Sequence, residues 1–238
     1  MSGKKDLTSA APSPGAMIDS FLDQARQLGP LADGAERPRL VFALDATMSR
    51  QPAWDLACRL QGEMFGAAAG TGLQVQLVYF RGFAECRASR FVADPRALTA
   101  LMAKIDCRGG QTQIGRVLAH VRGEAGRAPV RVLVYVGDAL EEPVDALCAA
   151  AGELALLGVK AFLFHEGRDP AAASGFREIA RLTGGAYARF DAGAAHVLAG
   201  LLRAAAAYAA AGVGGLTRLA PASEEARRLL TAMTGRGP

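Results

Sequence analysis

The sequence of 238 residues predicts an α/β domain, doubly wound, with a mostly parallel six-stranded sheet, one antiparallel edge strand and helices on both faces. Three observations carry that expectation. Short apolar runs alternate with stretches of helical periodicity, the pattern of strands joined by helical crossovers. Two runs, 40–44 and 130–136, are apolar almost throughout and fit strands buried on both faces. A close turn at Arg81-Gly82 joins two strand-like runs, which fits an antiparallel hairpin at the sheet edge.

Taken in order, residues 1–15 are polar and contain proline, as in a disordered tail. Met17, Ile18, Phe21, Leu22, Ala25 and Leu28 recur near helical spacing and predict a short amphipathic helix over 17–28. A linker rich in Gly, Pro and charge follows. The first strand covers 39–44, and Ser49 reads as the N-cap of a helix to about 69 carrying Trp54, Leu56, Leu60, Met64 and Phe65. Strands at 73–80 and 85–92 form the hairpin, and Asp94 caps a helix that Pro95 opens and that runs to 105. Thr112 precedes a helix to about 121. A strand over 130–136, a helix over 143–157, a strand over 159–164 and a helix over 171–182 follow. Gly184-Gly185 stops that last helix, before a strand over 186–190 and a helix over 194–210. The expected organisation is an N-terminal tail with its helix (1–37), one domain (38–211) and a C-terminal tail with a short helix near 223–233 (212–238). Right-handed crossovers put the first strand in the middle of the sheet.

Composition excludes several classes. Hydrophobic residues make up 51% and charged residues 21%, a balance that supports a sizeable core. The formal net charge of +4 comes from scattered arginines without a basic stripe, so no nucleic-acid partner is expected. Cys58, Cys86, Cys107 and Cys148 form no C-x-x-C pair, and His120, His165 and His196 are far apart, so neither a disulfide framework nor a zinc site is indicated. No secretory signal is read at the N-terminus, and no run reaches the roughly 20 apolar residues of a membrane span. A cytoplasmic location is expected.

The functional signal begins at Asp45-Ala46-Thr47-Met48-Ser49, where the first strand runs into an acid and two alternating hydroxyls. Loops after the carboxyl ends of strands hold ligands in open α/β sheets. Two more oxygen-bearing groups lie downstream: Thr112 after Gly109-Gly110, and Asp138 after the strand of 130–136. All five groups offer oxygen, a set suited to a hard divalent cation such as Mg2+ or Mn2+. Each also has a plainer reading. Ser49 and Thr112 suit helix N-caps, Asp138 an Asx turn, and Asp45 a buried acid paired with an arginine such as Arg50.

In order and spacing, this set resembles the metal-ion-dependent adhesion site of von Willebrand factor type A (VWA) domains, and the resemblance covers about 38–211. It implies that Asp45, Thr47, Ser49, Thr112 and Asp138 hold the metal. It also implies that a partner's Asp or Glu carboxylate completes the coordination. The hydroxyls add no charge, which keeps the cation attractive to an anion. Thr47 departs from the more usual serine but retains the hydroxyl. Glu141 and Glu142 behind Asp138 have two readings, assisting the metal through water or capping the next helix, and capping is the one expected. For an intracellular member the resemblance implies an adaptor, working with an ATPase, chaperone or stress-response machinery rather than as an enzyme. The alternative is a magnesium-dependent, phosphatase-like hydrolase using Asp45. Thr47 stands where such a D-x-D-x-T loop has its second acid, so the proton donor to the leaving group is missing. No G-x-x-x-x-G-K-[ST] or G-x-S-x-G motif is present.

Overall fold

Six strands form one sheet: β1 (Arg39–Asp45), β2 (Gln74–Arg81), β3 (Glu85–Ala88), β4 (Val132–Gly137), β5 (Lys160–Glu166) and β6 (Ala186–Phe190). Their order is β3-β2-β1-β4-β5-β6. Only β3 is antiparallel to its neighbour. The expected doubly wound sheet with its antiparallel edge is therefore present, with β1 inside it. The structure, a computed structural model, describes residues 37–191 and 193–235. The amphipathic helix expected over 17–28 lies outside the described residues.

The helices are α1 (Gln51–Leu60), α2 (Gly62–Ala67), α3 (Pro95–Met102), α4 (Ile114–Arg127), α5 (Val144–Leu156), α6 (Pro170–Thr183), α7 (Ala195–Leu219) and α8 (Glu224–Thr234). Strand residues alternate between two cores, as the period of two requires. Leu40, Phe42, Leu44, Val132, Val134, Phe162 and Phe164 face the core shared with α1, α2, α3, α7 and α8. Val41, Ala43, Leu133, Tyr135, Ala161 and Leu163 face the core shared with α4, α5 and α6.

Several boundaries differ from expectation for local reasons. The helix read as continuous from Ser49 to 69 opens as a 3₁₀ turn, Met48–Arg50, then divides into α1 and α2 at Gln61. The buried Gln61 side chain leaves the helix surface to donate to Pro95 O (3.1 Å) and Thr99 Oγ1 (2.6 Å). The third strand is shorter because Ser89 interrupts it. Its hydroxyl accepts from Leu77 N at 3.1 Å, and pairing resumes only at Val92 opposite Val75.

The last helix of the domain does not end at 210. It kinks at Ala211 and Gly212, where Gly212 takes φ 59° and ψ −148°, and then continues. Beyond the kink, Leu216, Ala226 and Leu229 are buried in the same core as β1. The segment after 211, expected as a tail, thus packs into the domain, and Ser223 caps α8 through Ala226 N (3.2 Å). By length and composition the helix Ala195–Ala222 is apolar enough to cross a membrane, and 56% of its most apolar window is buried within this fold. Its apolarity is that of a helix laid across the sheet. The sequence hid its length because the glycines at 212, 214 and 215 read as a terminus.

The chain winds outward from β1 to β3, returns to β4 beside β1, and winds the other way to β6. The direction reverses between β1 and β4, so the crevice beyond their carboxyl ends is the switch point at which such sheets bind ligands.

The packing of α7 gives a direct test. Leu201 is fully buried and Leu156, on α5, is 89% exposed. Leu201→Ala should lower the unfolding free energy by about 2–5 kcal/mol, whereas Leu156→Ala should stay within about 0.5 kcal/mol. Urea titration followed by circular dichroism measures both.

Candidate metal centre

Asp45 is the last residue of β1 and only 4% exposed. Its Oδ1 accepts a hydrogen bond from Thr47 N at 2.7 Å, which folds the chain back over the strand end. The loop is fixed on both sides: Ala46 N donates to Phe80 O, and Arg108 N donates to Ala46 O, each at 3.0 Å. Thr47 is buried, while Met48 and Ser49 are exposed at the mouth. Arg50 N donates to Thr47 O at 2.9 Å and closes the 3₁₀ turn. Ser49 lies inside this turn, and no side chain caps the turn or α1. The N-cap reading of Ser49 therefore fails.

Thr112 comes from the loop before α4. Its N–H donates to the Glu141 carboxylate (2.8 Å), and its Oγ1 accepts from Glu141 N (3.1 Å). The helix begins at Ile114, so Thr112 does not cap it either. Glu142 serves as the cap instead, accepting from Ile114 N (2.5 Å) and Gly115 N (2.8 Å). Glu141 and Glu142 were expected to cap the following helix. They reach the start of the preceding one, because the free N–H groups of α4 open onto the same end of the sheet. This pins the loop after β4 to the Thr112 loop.

Asp138 follows β4, with its side chain 34% exposed. Behind it His165, fully buried, bridges the Asp138 carbonyl (Nε2, 3.1 Å) and the Tyr187 hydroxyl (Nδ1, 2.9 Å). A carbonyl only accepts, so Nε2 carries the proton and Nδ1 accepts from Tyr187. Burial holds the His165 pKa below its ordinary value, which favours this neutral ring.

Arg50 does not form the expected ion pair with Asp45. Its guanidinium lies 3.5 Å from Asp138 Oδ2 and forms an ion pair with Glu166. Both Arg50 and Glu166 are buried. Sequence reasoning missed Glu166 by ending its strand at 164. The signal was present: Phe164-His165-Glu166 repeats the apolar-run-into-acid pattern of Leu44-Asp45.

The electrostatics single out Asp45. Burial pushes its pKa up from 3.8 to about 6; the hydrogen bonds from Thr47 and the charge of Arg50 oppose the rise, and the nearby charge of Asp138 adds to it. Among the described residues no three His, Cys, Asp or Glu side chains gather as a metal cage. What the strand ends offer is two carboxylates near enough for Asp138 to act on Asp45, with the Thr47 hydroxyl beside Asp45 and no direct counter-charge on that acid. That donor chemistry fits a hard divalent cation.

The fold compares directly with solved structures. One is an aerotolerance-related membrane protein from Bacteroides fragilis, at 17% identity and a TM-score of 0.55, with 71% of this chain and 98% of that chain covered. Another is the SpRpn10 VWA domain, at 11% identity and a TM-score of 0.53, with 66% and 89% covered. The chain has the von Willebrand factor type A fold. The same VWA fold aligns with proximal thread matrix protein 1 from the mussel byssus, whose structure has a zinc-occupied MIDAS motif. There the identity is 16%, the TM-score 0.58, and the alignment spans 71% of this chain but only 45% of that protein. No protein-family model matches the sequence, and no curated protein matches it significantly. At these identities the likeness establishes the VWA fold and leaves the chemistry to the residues themselves.

The raised pKa of Asp45 makes a signed prediction. Folding binds this proton more tightly than the unfolded chain does, so the contribution is fully favourable below pH 3.8 and is lost as pH rises through about 6. The loss is on the order of 3 kcal/mol, at roughly 1.4 kcal/mol per pH unit. Asp45→Asn retains an oxygen to accept from Thr47 N but carries no charge. In EDTA the variant should melt close to wild type at pH 4 and several degrees higher at pH 7.5. Melting curves that coincide at both pH values would contradict the assignment.

Proposed function

We propose that this chain is a divalent-metal-dependent protein-binding module. The carrying observation is a buried carboxylate, Asp45, that lacks a cation of its own at the switch point of the sheet. Asp45, Thr47, Ser49, Thr112 and Asp138 would hold the ion, with Mg2+ or Mn2+ favoured by a set that offers oxygen and neither nitrogen nor sulfur. A bound ion would supply positive charge that two carboxylates leave incompletely neutralised, and so a place for an incoming anion. The zinc-occupied motif of the mussel byssus protein supports a metal at this place in this fold.

In this reading the partner presents an exposed Asp or Glu, whose carboxylate completes the coordination. Met48, 67% exposed beside Ser49, offers such a partner an apolar contact. The role is that of an adaptor; against the phosphatase alternative, position 47 carries a hydroxyl where the D-x-D-x-T loop has the acid that protonates the leaving group. ATPase, chaperone or stress-response machinery are the partner classes we favour. A cytoplasmic setting is part of this reading.

Calorimetric titration tests the metal. Wild type should bind Mn2+ or Mg2+ at a single site, and Asp45→Asn and Asp138→Asn should each weaken or abolish that binding. A hundredfold excess over Kd should stabilise wild type by about 2.7 kcal/mol, with no matching gain in Asp45→Asn. Equal binding by all three proteins would place the ion elsewhere. No binding by wild type in the absence of any competing cation would remove the ion from the proposal.

A further inference from the structure

A residue outside the five candidate donors already supplies positive charge to this crevice. The Arg50 side chain is 5% exposed and touches two carboxylates that come from different strands. Glu166 ends β5 and Asp138 follows β4, so the guanidinium ties together two loops at the mouth of the site. Its two contacts are unequal. The partner side chain of Glu166 is 10% exposed, whereas the contact with Asp138 is 3.5 Å long and reaches a side chain 34% exposed and open to water. Neither Arg50 Nε nor Glu166 Oε2 has a hydrogen-bond partner, so the outer nitrogens of the guanidinium hold the two carboxylates by ion-pair contact alone.

We infer that Arg50 is the built-in counter-ion of the site, and that it sets metal affinity by competing with the cation for Asp138. This rests on the metal reading above and adds a specificity-determining residue to it. The physical argument concerns charge at short range. A fixed guanidinium beside Asp138 both occupies its carboxylate and repels a second cation, and burial strengthens both effects. The looser contact is the one that gives way: Arg50 keeps Glu166 and releases Asp138. Glu166 is thus a positioning residue. It touches no candidate donor, but it holds the competing charge to one side.

The test is a Mn2+ titration by calorimetry on wild type, Arg50→Gln, Glu166→Gln and the double variant Arg50→Gln/Glu166→Gln, with melting in EDTA and in excess Mn2+ as a second readout. Arg50→Gln should bind Mn2+ about tenfold or more tighter than wild type, melt lower than wild type in EDTA because Glu166 is left buried without its partner, and recover in Mn2+. Should that variant fail to fold, the double variant removes both members of the pair, leaves no buried lone charge, and should also bind more tightly than wild type. Glu166→Gln should bind more weakly, since Arg50 is then left to Asp138 alone. Wild type that binds Mn2+ as tightly as Arg50→Gln and the double variant would overturn the role of Arg50 while leaving the metal site standing. Failure of every protein to bind Mn2+ would overturn both. Binding by the Arg50 variants alone would support Arg50 as the competing cation and show that it excludes the ion from the native protein.

Discussion

A carboxylate buried at the end of a central strand must find hydrogen bonds, a counter-charge or a proton. Asp45 has the first, through Thr47 N at 2.7 Å. It has the second only at a distance, because Arg50 pairs with Asp138 and Glu166. The surroundings of Asp45 follow from this shortage. The loop of 46–50 curls over the acid and brings hydroxyls with it. The Thr112 loop is clamped to Glu141, and the loop after β4 is held from behind by His165.

The sheet does the positioning. Its direction reverses between β1 and β4, so two strand ends that carry acids lie side by side without being close in sequence. Helix α7 lies across one face and fixes these strands from below, with Leu198, Leu201, Leu202 and Leu216 buried in the core of β1 and β4. The apolarity that would suit a membrane is accounted for by this packing. The likeness to solved VWA structures follows from the same architecture and is independent of what the crevice binds.

Much of this was legible in the sequence because hydrophobic periodicity reports local structure well. The apolar run into Asp45 matches β1, and the close turn at Arg81-Gly82 matches the antiparallel edge. What stayed hidden depends on long-range geometry. No spacing rule says that Arg50 pairs with Asp138 and Glu166 and not with Asp45, or that Glu142 caps α4, some 28 residues earlier, rather than the helix it precedes. The kink at Gly212 read as a terminus because glycine favours both a helix end and a bend, and only packing against the sheet distinguishes them. Glu166 was missed for a smaller reason: a strand boundary placed two residues early removed the acid from consideration.

We propose that Asp45, Thr47, Ser49, Thr112 and Asp138 together hold a divalent cation. The most direct measurement is anomalous diffraction from crystals grown with Mn2+ at neutral pH. The account predicts a single strong anomalous peak at the carboxyl end of β1 and β4, within about 2.0–2.4 Å of oxygens from these side chains, with Arg50 withdrawn from Asp138. Crystals that diffract well and show no peak there, with Arg50 still paired to Asp138 at saturating Mn2+, would contradict it.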